Sequence, residues 1–199
     1  MSFQTVFDNA TSIRINKKKK VSVTTSRSGV VKSTSLGGQI WEFEVKLPDG
    51  PRYSEYRPLV EKMEALDRVT TETIQISQSY ITGYQGDVSN ITGATATFTS
   101  GNTISITSGL TATSGFRFKA GDLIQLGSGG SVYSVAQDAS FNQNVITLNR
   151  PVLESSGSYS LIVGPSVSWE VLCVSYPEYT IFGYDQISWS GPFVFVEAI

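Results

Sequence analysis

The side chains that most often perform acid–base and nucleophilic chemistry are nearly missing from this sequence. Histidine, the commonest general base and metal ligand, does not occur among the 199 residues, and cysteine occurs once, at Cys173. A single cysteine can form neither an intramolecular disulfide nor a cysteine-ligated metal cluster. The usual means for Ser-His or Cys-His catalysis and for zinc chemistry are therefore missing, and we expect no catalytic residue, no metal and no cofactor.

The remaining candidates for chemistry are carboxylates and a glycine-rich loop. Glu42 and Glu44 could act as an acid–base pair on a glycoside, but they alternate with apolar residues on a predicted strand beside Lys46, so we expect solvated charges. No acidic pair stands in an apolar setting that would raise its pKa, which makes a histidine-free hydrolase the weakest hypothesis. The loop at 127–130 is similar to a phosphate loop, but a strand follows it, which predicts a hairpin turn.

Two groups of residues could bind a partner. The four consecutive lysines could contact phosphate, or they could lie on a solvated edge or hairpin tip, where lysine blocks unwanted strand pairing. The aromatic residues of the last quarter could stack on sugar rings, or they could serve the core and subunit contacts. The candidate interface residues are Lys17, Lys18, Lys19, Lys20, Tyr176, Tyr179, Trp189 and Phe193, with Phe182 and Tyr184 as further candidates for sugar stacking. Cys173 alternates with core positions and is expected to be a small buried side chain.

Composition restricts the class of protein further. Charged residues make up 16%, against roughly 25% in ordinary soluble domains. This fits a surface partly covered by copies of itself or by partners, and it equally fits a β protein that carries Thr and Ser where helical proteins carry Glu and Lys. A net charge of −2 argues against stable nucleic-acid binding. The first residues do not open a signal peptide, and no stretch has the roughly 20 apolar residues that span a bilayer. We therefore expect a protein that is made in the cytoplasm and does not enter a membrane.

Hydrophobic periodicity predicts a mainly β fold with one helix. Residues 40–47 alternate strictly, with Trp41, Phe43, Val45 and Leu47 on one face of a strand. Residues 54–68 carry apolar side chains at helical spacing, and Pro58 is expected within or just before the first turn of that helix, because an interior proline breaks a helix. Further strands are predicted near 12–16 and 21–23, over 70–81, and repeatedly after Thr95.

The chain is expected to contain a discontinuous domain. Residues 84–116 are rich in Gly, Ser and Thr, and the following strands, including one over 116–126, recur at about ten-residue spacing, which is typical of a small barrel or meander. After Gly164-Pro165 the pattern of the first third returns. We therefore predict an inserted β module at 84–165 and one parent domain formed by 1–83 with 166–199.

Two stretches resemble small baseplate and distal-tail proteins of tailed bacteriophages. They are Phe118–Gly127 with its following strands to Pro165, and the ending Pro177-Glu178-Tyr179 through Trp189-Ser190-Gly191-Pro192-Phe193-Val194-Phe195-Val196-Glu197. The opening block with its Trp-Phe-Val strand and one helix is similar to the parent domain of such proteins, which is related to the tail-tube fold. The resemblance implies a tail-tube-like β-sandwich or barrel carrying the inserted module, and a ring, six-fold by resemblance alone.

The sequence thus predicts a virion structural protein of the tail or baseplate hub, assembled in the host cytoplasm, with itself and neighbouring tube and hub proteins as partners. A neck or tail-completion protein is a related alternative. A carbohydrate-binding or adhesin module is the alternative from a different class.

Overall fold

The computed structural model describes residues 2–65, 70–87, 93–109 and 114–199, without the side chains of 18–21 and 33–38. Strands take up 45% and helices 15%, so the fold is mainly β, as predicted. The helices of the described residues are α1 (Phe3–Asp8), α2 (Tyr53–Ala65), α3 (Ser79–Thr82) and a 3-10 turn at Gly164–Ser166. The strands of these residues are β1 (Ser12–Thr25), β2 (Val31–Lys46), β3 (Glu72–Ile74), β4 (Thr95–Phe98), β5 (Thr103–Ser108), β6 (Phe116–Phe118), β7 (Leu123–Leu126), β8 (Val132–Ser134), β9 (Ala139–Ser140), β10 (Val145–Thr147), β11 (Gly157–Val163), β12 (Trp169–Ser175), β13 (Tyr179–Phe182), β14 (Gln186–Trp189) and β15 (Phe193–Glu197).

The chain divides into two compact units, each of which is described by itself. The first consists of residues 1–72 with 171–198, and the second of residues 73–170 with Ile199. The sequence-based boundaries were 83/84 and 165/166. Residues 73–83 belong with the second unit, in which Ile74, Ile76 and Thr82 are buried.

The first unit is built on a sheet in which β1, β2, β15 and β12 lie side by side in that order within the described residues. The predicted alternation of β2 is confirmed: Trp41, Phe43 and Val45 are buried, whereas Glu42 and Glu44 are half-buried. β15 pairs antiparallel with β2 on one side and with β12 on the other, so the last strand of the chain occupies the middle of this sheet.

Aromatic rings join the chain termini within the core of this unit. The Phe7 ring of α1 lies 5.1 Å from that of Phe195 and 5.8 Å from that of Phe43, and the Phe3 ring lies 5.3 Å from that of Phe195, measured between centroids. Such tilted and edge-on pairs contribute about 0.5–1.5 kcal/mol each beyond their buried area. Helix α1, which the one-helix prediction missed, exists because Phe3, Val6 and Phe7 bury against this sheet.

Helix α2 confirms the predicted helix, but not the predicted position of its proline. Tyr56, Leu59, Val60 and Met63 are buried as expected, while Leu66 to Arg68 lie outside the described residues. Pro58 is the sixth residue of the helix, so it lies beyond the first turn. Proline has no N–H that could donate a hydrogen bond to the Ser54 carbonyl. The helix tolerates the loss of this bond because hydrogen bonds to Asp185 hold its N-terminus, as described below.

The predicted strand over 70–81 is wrong beyond Ile74. β3 has three residues, and the short helix α3 follows at Ser79–Thr82. The Thr82 hydroxyl donates hydrogen bonds to the carbonyls of Ile76 and Gln78, at 3.1 and 3.3 Å. These local bonds satisfy backbone groups that a longer strand would have had to pair elsewhere.

The second unit contains a sheet with the order β10-β5-β4-β11-β7-β8. Val135, just after β8, bridges to Leu148, just after β10, and the Ala136 N–H donates to the Thr147 carbonyl at 2.8 Å. The two edge strands therefore meet, and the sheet curls around its core in the manner of a small barrel. Its buried side chains include Phe98, Ile104, Ile106, Phe118, Ile124, Leu126, Tyr133, Ile146, Leu148 and Leu161.

Residues 116–126, predicted as one strand, form two. β6 pairs with β9 and β7 with β8, and the break lies at Lys119–Asp122, where Gly121 has a φ of 100° that favours glycine. The buried Asp122 carboxylate accepts hydrogen bonds from the Lys119 and Gln85 N–H groups, both at 2.8 Å. The hairpin turn predicted at 127–130 is confirmed between the antiparallel strands β7 and β8.

Asp122→Ala should lower the free energy of unfolding by about 3 kcal/mol, because it leaves two N–H groups of this buried turn without their charged acceptor. Urea denaturation followed by circular dichroism measures the loss. Asp122→Asn keeps one side-chain oxygen acceptor and should lose less. A loss below about 1 kcal/mol for Asp122→Ala would contradict this role of the carboxylate.

Candidate functional site

The hairpin of β13 and β14 is joined to the segment that leads into α2. The Gly50 N–H donates to the Ile187 carbonyl and the Ile187 N–H donates to the Pro51 carbonyl, both at 3.0 Å. Arg52 forms a bridge with Gln186, so this segment continues the hairpin as a short third strand. Helix α2 is thereby positioned by a part of the chain more than a hundred residues away.

Asp185, in the turn of this hairpin, caps the N-terminus of α2. Its main-chain carbonyl accepts from the Tyr53 N–H at 2.8 Å, and its carboxylate accepts from the Ser54 N–H at 3.0 Å and from the Ser54 hydroxyl. A negative charge at this end also suits the helix dipole. Tyr184 and Asp185 both have φ near +60°, which the hairpin turn requires.

A row of aromatic rings runs from this hairpin into the core. Tyr53 stacks near Tyr179 with a centroid distance of 6.2 Å, Tyr179 lies 5.8 Å from Trp189, and Trp189 lies 4.9 Å from Phe193. Phe193 is buried and Trp189 is half-buried, so two of the predicted interface residues serve mainly to anchor the hairpin. Tyr179 is half-buried and lies between Tyr53 and Trp189 in this row.

Beside Tyr179 lies an open groove of about 470 Å³, which we call the acidic groove. It is lined by Glu64, Tyr176, Pro177, Glu178 and Tyr179. The Tyr179 hydroxyl donates a long hydrogen bond of 3.4 Å to the Glu64 carboxylate. Partial burial and then the negative charge of Glu64 raise the pKa of Tyr179, so its phenol stays neutral at physiological pH. The groove thus offers two carboxylates and two phenol rings to a ligand.

The predicted lysine run lies elsewhere, within β1 at the edge of the sheet. Its backbone is in the middle of the strand, whereas the hairpin tip lies at 26–30. The Lys17 ammonium lies 4.7 Å from the Trp41 ring centroid, a cation–π contact in which the side chain also covers the buried indole. The side chains of Lys18, Lys19 and Lys20 lie outside the described ones.

The structure brings Tyr176 and Tyr179 together at the groove, with Trp189 and Phe193 behind Tyr179. Sequence reasoning missed Glu64, Glu178 and Asp185, and the signal that could have indicated Glu178 is the corner Pro177-Glu178-Tyr179 in which it lies. Nothing in the sequence indicated that the corner at 176–179 would lie beside Glu64 of α2. The prediction that Cys173 is buried is confirmed. Glu44 accepts hydrogen bonds from Arg14 and Asn16, so it acts as a structural partner of β1.

No family model matches the chain, and no characterised protein matches its sequence. Over the described ranges, no three side chains of the His, Cys, Asp or Glu types lie together as a metal site. The helices found in the same part of the chain are too short or too polar to cross a membrane.

Asp185→Ala should destabilise the first unit by about 1–2 kcal/mol, because it removes the side-chain acceptor for two donors at the start of α2 and places alanine at positive φ. The midpoint of urea denaturation and the amide exchange of residues 53–57 measure this effect. Asp185→Asn tolerates the same backbone conformation and can still accept a hydrogen bond, so it should lose markedly less. Equal losses in the two variants would argue against capping.

Proposed function

We propose that this protein is a virion structural protein that forms a ring in the tail or baseplate hub of a tailed bacteriophage and joins the tail tube to the baseplate. In this proposal it acts by contact rather than by chemistry, and its partners are copies of itself and the neighbouring tube and hub proteins. The observation that carries the proposal is the open edge formed by β1.

β1 is unusually long and lies at the end of the sheet. It has 14 residues, against a usual strand length of about 5–6, and it pairs with β2 from Ser12 opposite Lys46 to Thr25 opposite Val31. Among the described residues its other side has no strand partner. Such an edge presents N–H and C=O groups that can pair with another chain.

β15 pairs only with Glu42 to Val45 of β2. From Trp41 back to Val31, β2 therefore pairs with β1 alone in the described part of the chain, and the two strands form a two-stranded ribbon. A two-stranded ribbon is marginally stable in water by itself. Near its tip, Val23, Val30 and Val31 are 61%, 52% and 62% exposed. Exposed β-branched side chains on a long ribbon favour a neighbouring subunit that covers them.

The rest of the chain is compatible with this use. Its weakly charged composition suits a surface that is covered on assembly, and its lack of histidine suits a protein without catalysis. An edge strand that meets a different surface of the next copy makes a head-to-tail contact, which closes into a ring when the rotation allows. The six-fold symmetry and the virion location are taken from the family resemblance, as is the related alternative of a neck or tail-completion role.

Val23→Glu/Val30→Glu/Val31→Glu should abolish self-association while leaving the monomer folded, because these side chains are already exposed in the single chain. Sedimentation velocity over a range of protein concentrations measures assembly, and circular dichroism checks the fold. The wild type should form a closed species of several copies, and the variant should remain a single chain.

Ser128→Glu/Ser156→Glu/Ser158→Glu is the matched control, because it adds the same charge at exposed positions of the second unit. It should assemble like the wild type. A wild type that stays a single chain at every concentration, alone and with tail proteins, would contradict the proposed function.

A carbohydrate-binding module remains the second candidate because of the hairpin tip. Tyr184 is fully exposed and Phe182 is 53% exposed, whereas Trp189 is half-buried by its neighbours. If this candidate is correct, the isolated chain should bind on a glycan array, and Tyr184→Ala should reduce the signal at least tenfold without changing stability. Absence of binding by the wild type would exclude it.

A further inference from the structure

We propose that the acidic groove binds the lysine run of β1 from a second copy of this chain. This inference rests on the proposed self-assembly, and it names the contact by which one copy joins the next head to tail. It assigns a ligand class, a lysine side chain, to a groove lined by Glu64, Glu178 and two tyrosines.

The groove has the chemistry of a receptor for an ammonium group. Carboxylates attract a cation and accept its hydrogen bonds, and phenol rings provide faces for a cation–π contact. Both Glu64 and Glu178 are exposed, so an incoming side chain can reach them. Glu61, one turn before Glu64 on α2, adds a further negative charge near Tyr179.

The strongest concentration of positive charge in the sequence is the run Lys17-Lys18-Lys19-Lys20. It lies on an edge strand, where a neighbouring molecule can reach it. Charge complementarity therefore selects this segment as the occupant of the groove.

The contact must be between copies because of the strand order. The groove residues Tyr176 to Glu178 follow directly after β12, and β2 and β15 lie between β12 and β1. Three strand spacings separate β1 from β12 by about 14 Å across the sheet. The strand that carries the lysine run thus lies three strand positions away from β12, which leads into the groove of the same chain.

Two complementary surfaces on opposite sides of one unit produce a head-to-tail interface, in which every copy donates a lysine run and receives another. Such an interface closes into a ring or continues as a filament, in contrast to a two-fold dimer that stops at two copies. Charge pairs at an accessible surface are screened over about 8 Å at physiological ionic strength, so added salt should weaken this assembly.

Two charge-reversed variants test the proposal. The first is Glu64→Lys/Glu178→Lys in the groove, and the second is Lys18→Glu/Lys19→Glu/Lys20→Glu in the run. Each alone should raise the protein concentration needed for assembly at least tenfold, because its groove and run then carry like charge. Their equimolar mixture should assemble again, because each groove then meets a run of opposite charge. Native mass spectrometry should show the two variants alternating in equal numbers.

Asp8→Lys/Glu170→Lys makes the same change in net charge as the groove variant, at exposed positions outside the groove, and should assemble like the wild type. If the wild type assembles and both reversed variants assemble equally well, the groove inference is wrong while the proposed function stands. If each variant fails and the mixture also fails, reciprocal pairing is wrong. If the wild type never assembles, the proposed function fails together with the inference.

Discussion

The pairing of β15 between β2 and β12 is the constraint on which the rest of the first unit depends. This strand is the last of the chain, yet it occupies the middle of the sheet and brings Phe193 and Phe195 into the aromatic core. Without it, β2 and β12 would have no common neighbour, and α1 would lose the ring that contacts both Phe3 and Phe7. The N-terminal segment therefore completes its core only with the C-terminal one.

The same arrangement determines which surfaces remain for partners. Because the later strands fill one side of β2, β1 is left at the edge with its long ribbon. Because β13 and β14 return to the start of α2, the corner at 176–179 lies beside Glu64 and forms the acidic groove. An open edge, an exposed ribbon tip and an acidic groove are the surfaces on which the proposed assembly relies.

Much of the fold follows from local pattern in the sequence. The alternation around Trp41 and Phe43 predicted β2 correctly, and helical spacing predicted the buried face of α2, because burial on one face imposes its period on the chain. Side-chain hydrogen bonds explain two of the errors: Asp185 fixes the start of α2 and so places Pro58 inside it, and Asp122 divides the predicted strand at 116–126. The groove could not be predicted, since its two carboxylates stand 114 positions apart and only tertiary structure brings them together.

A three-dimensional reconstruction by electron microscopy of the assembled protein tests most directly the claim that β1 is a subunit contact. The account predicts a closed ring in which β1 and the ribbon tip are covered by the next copy. Assemblies in which β1 faces solvent in every subunit, or fields of single chains under all conditions, would contradict it.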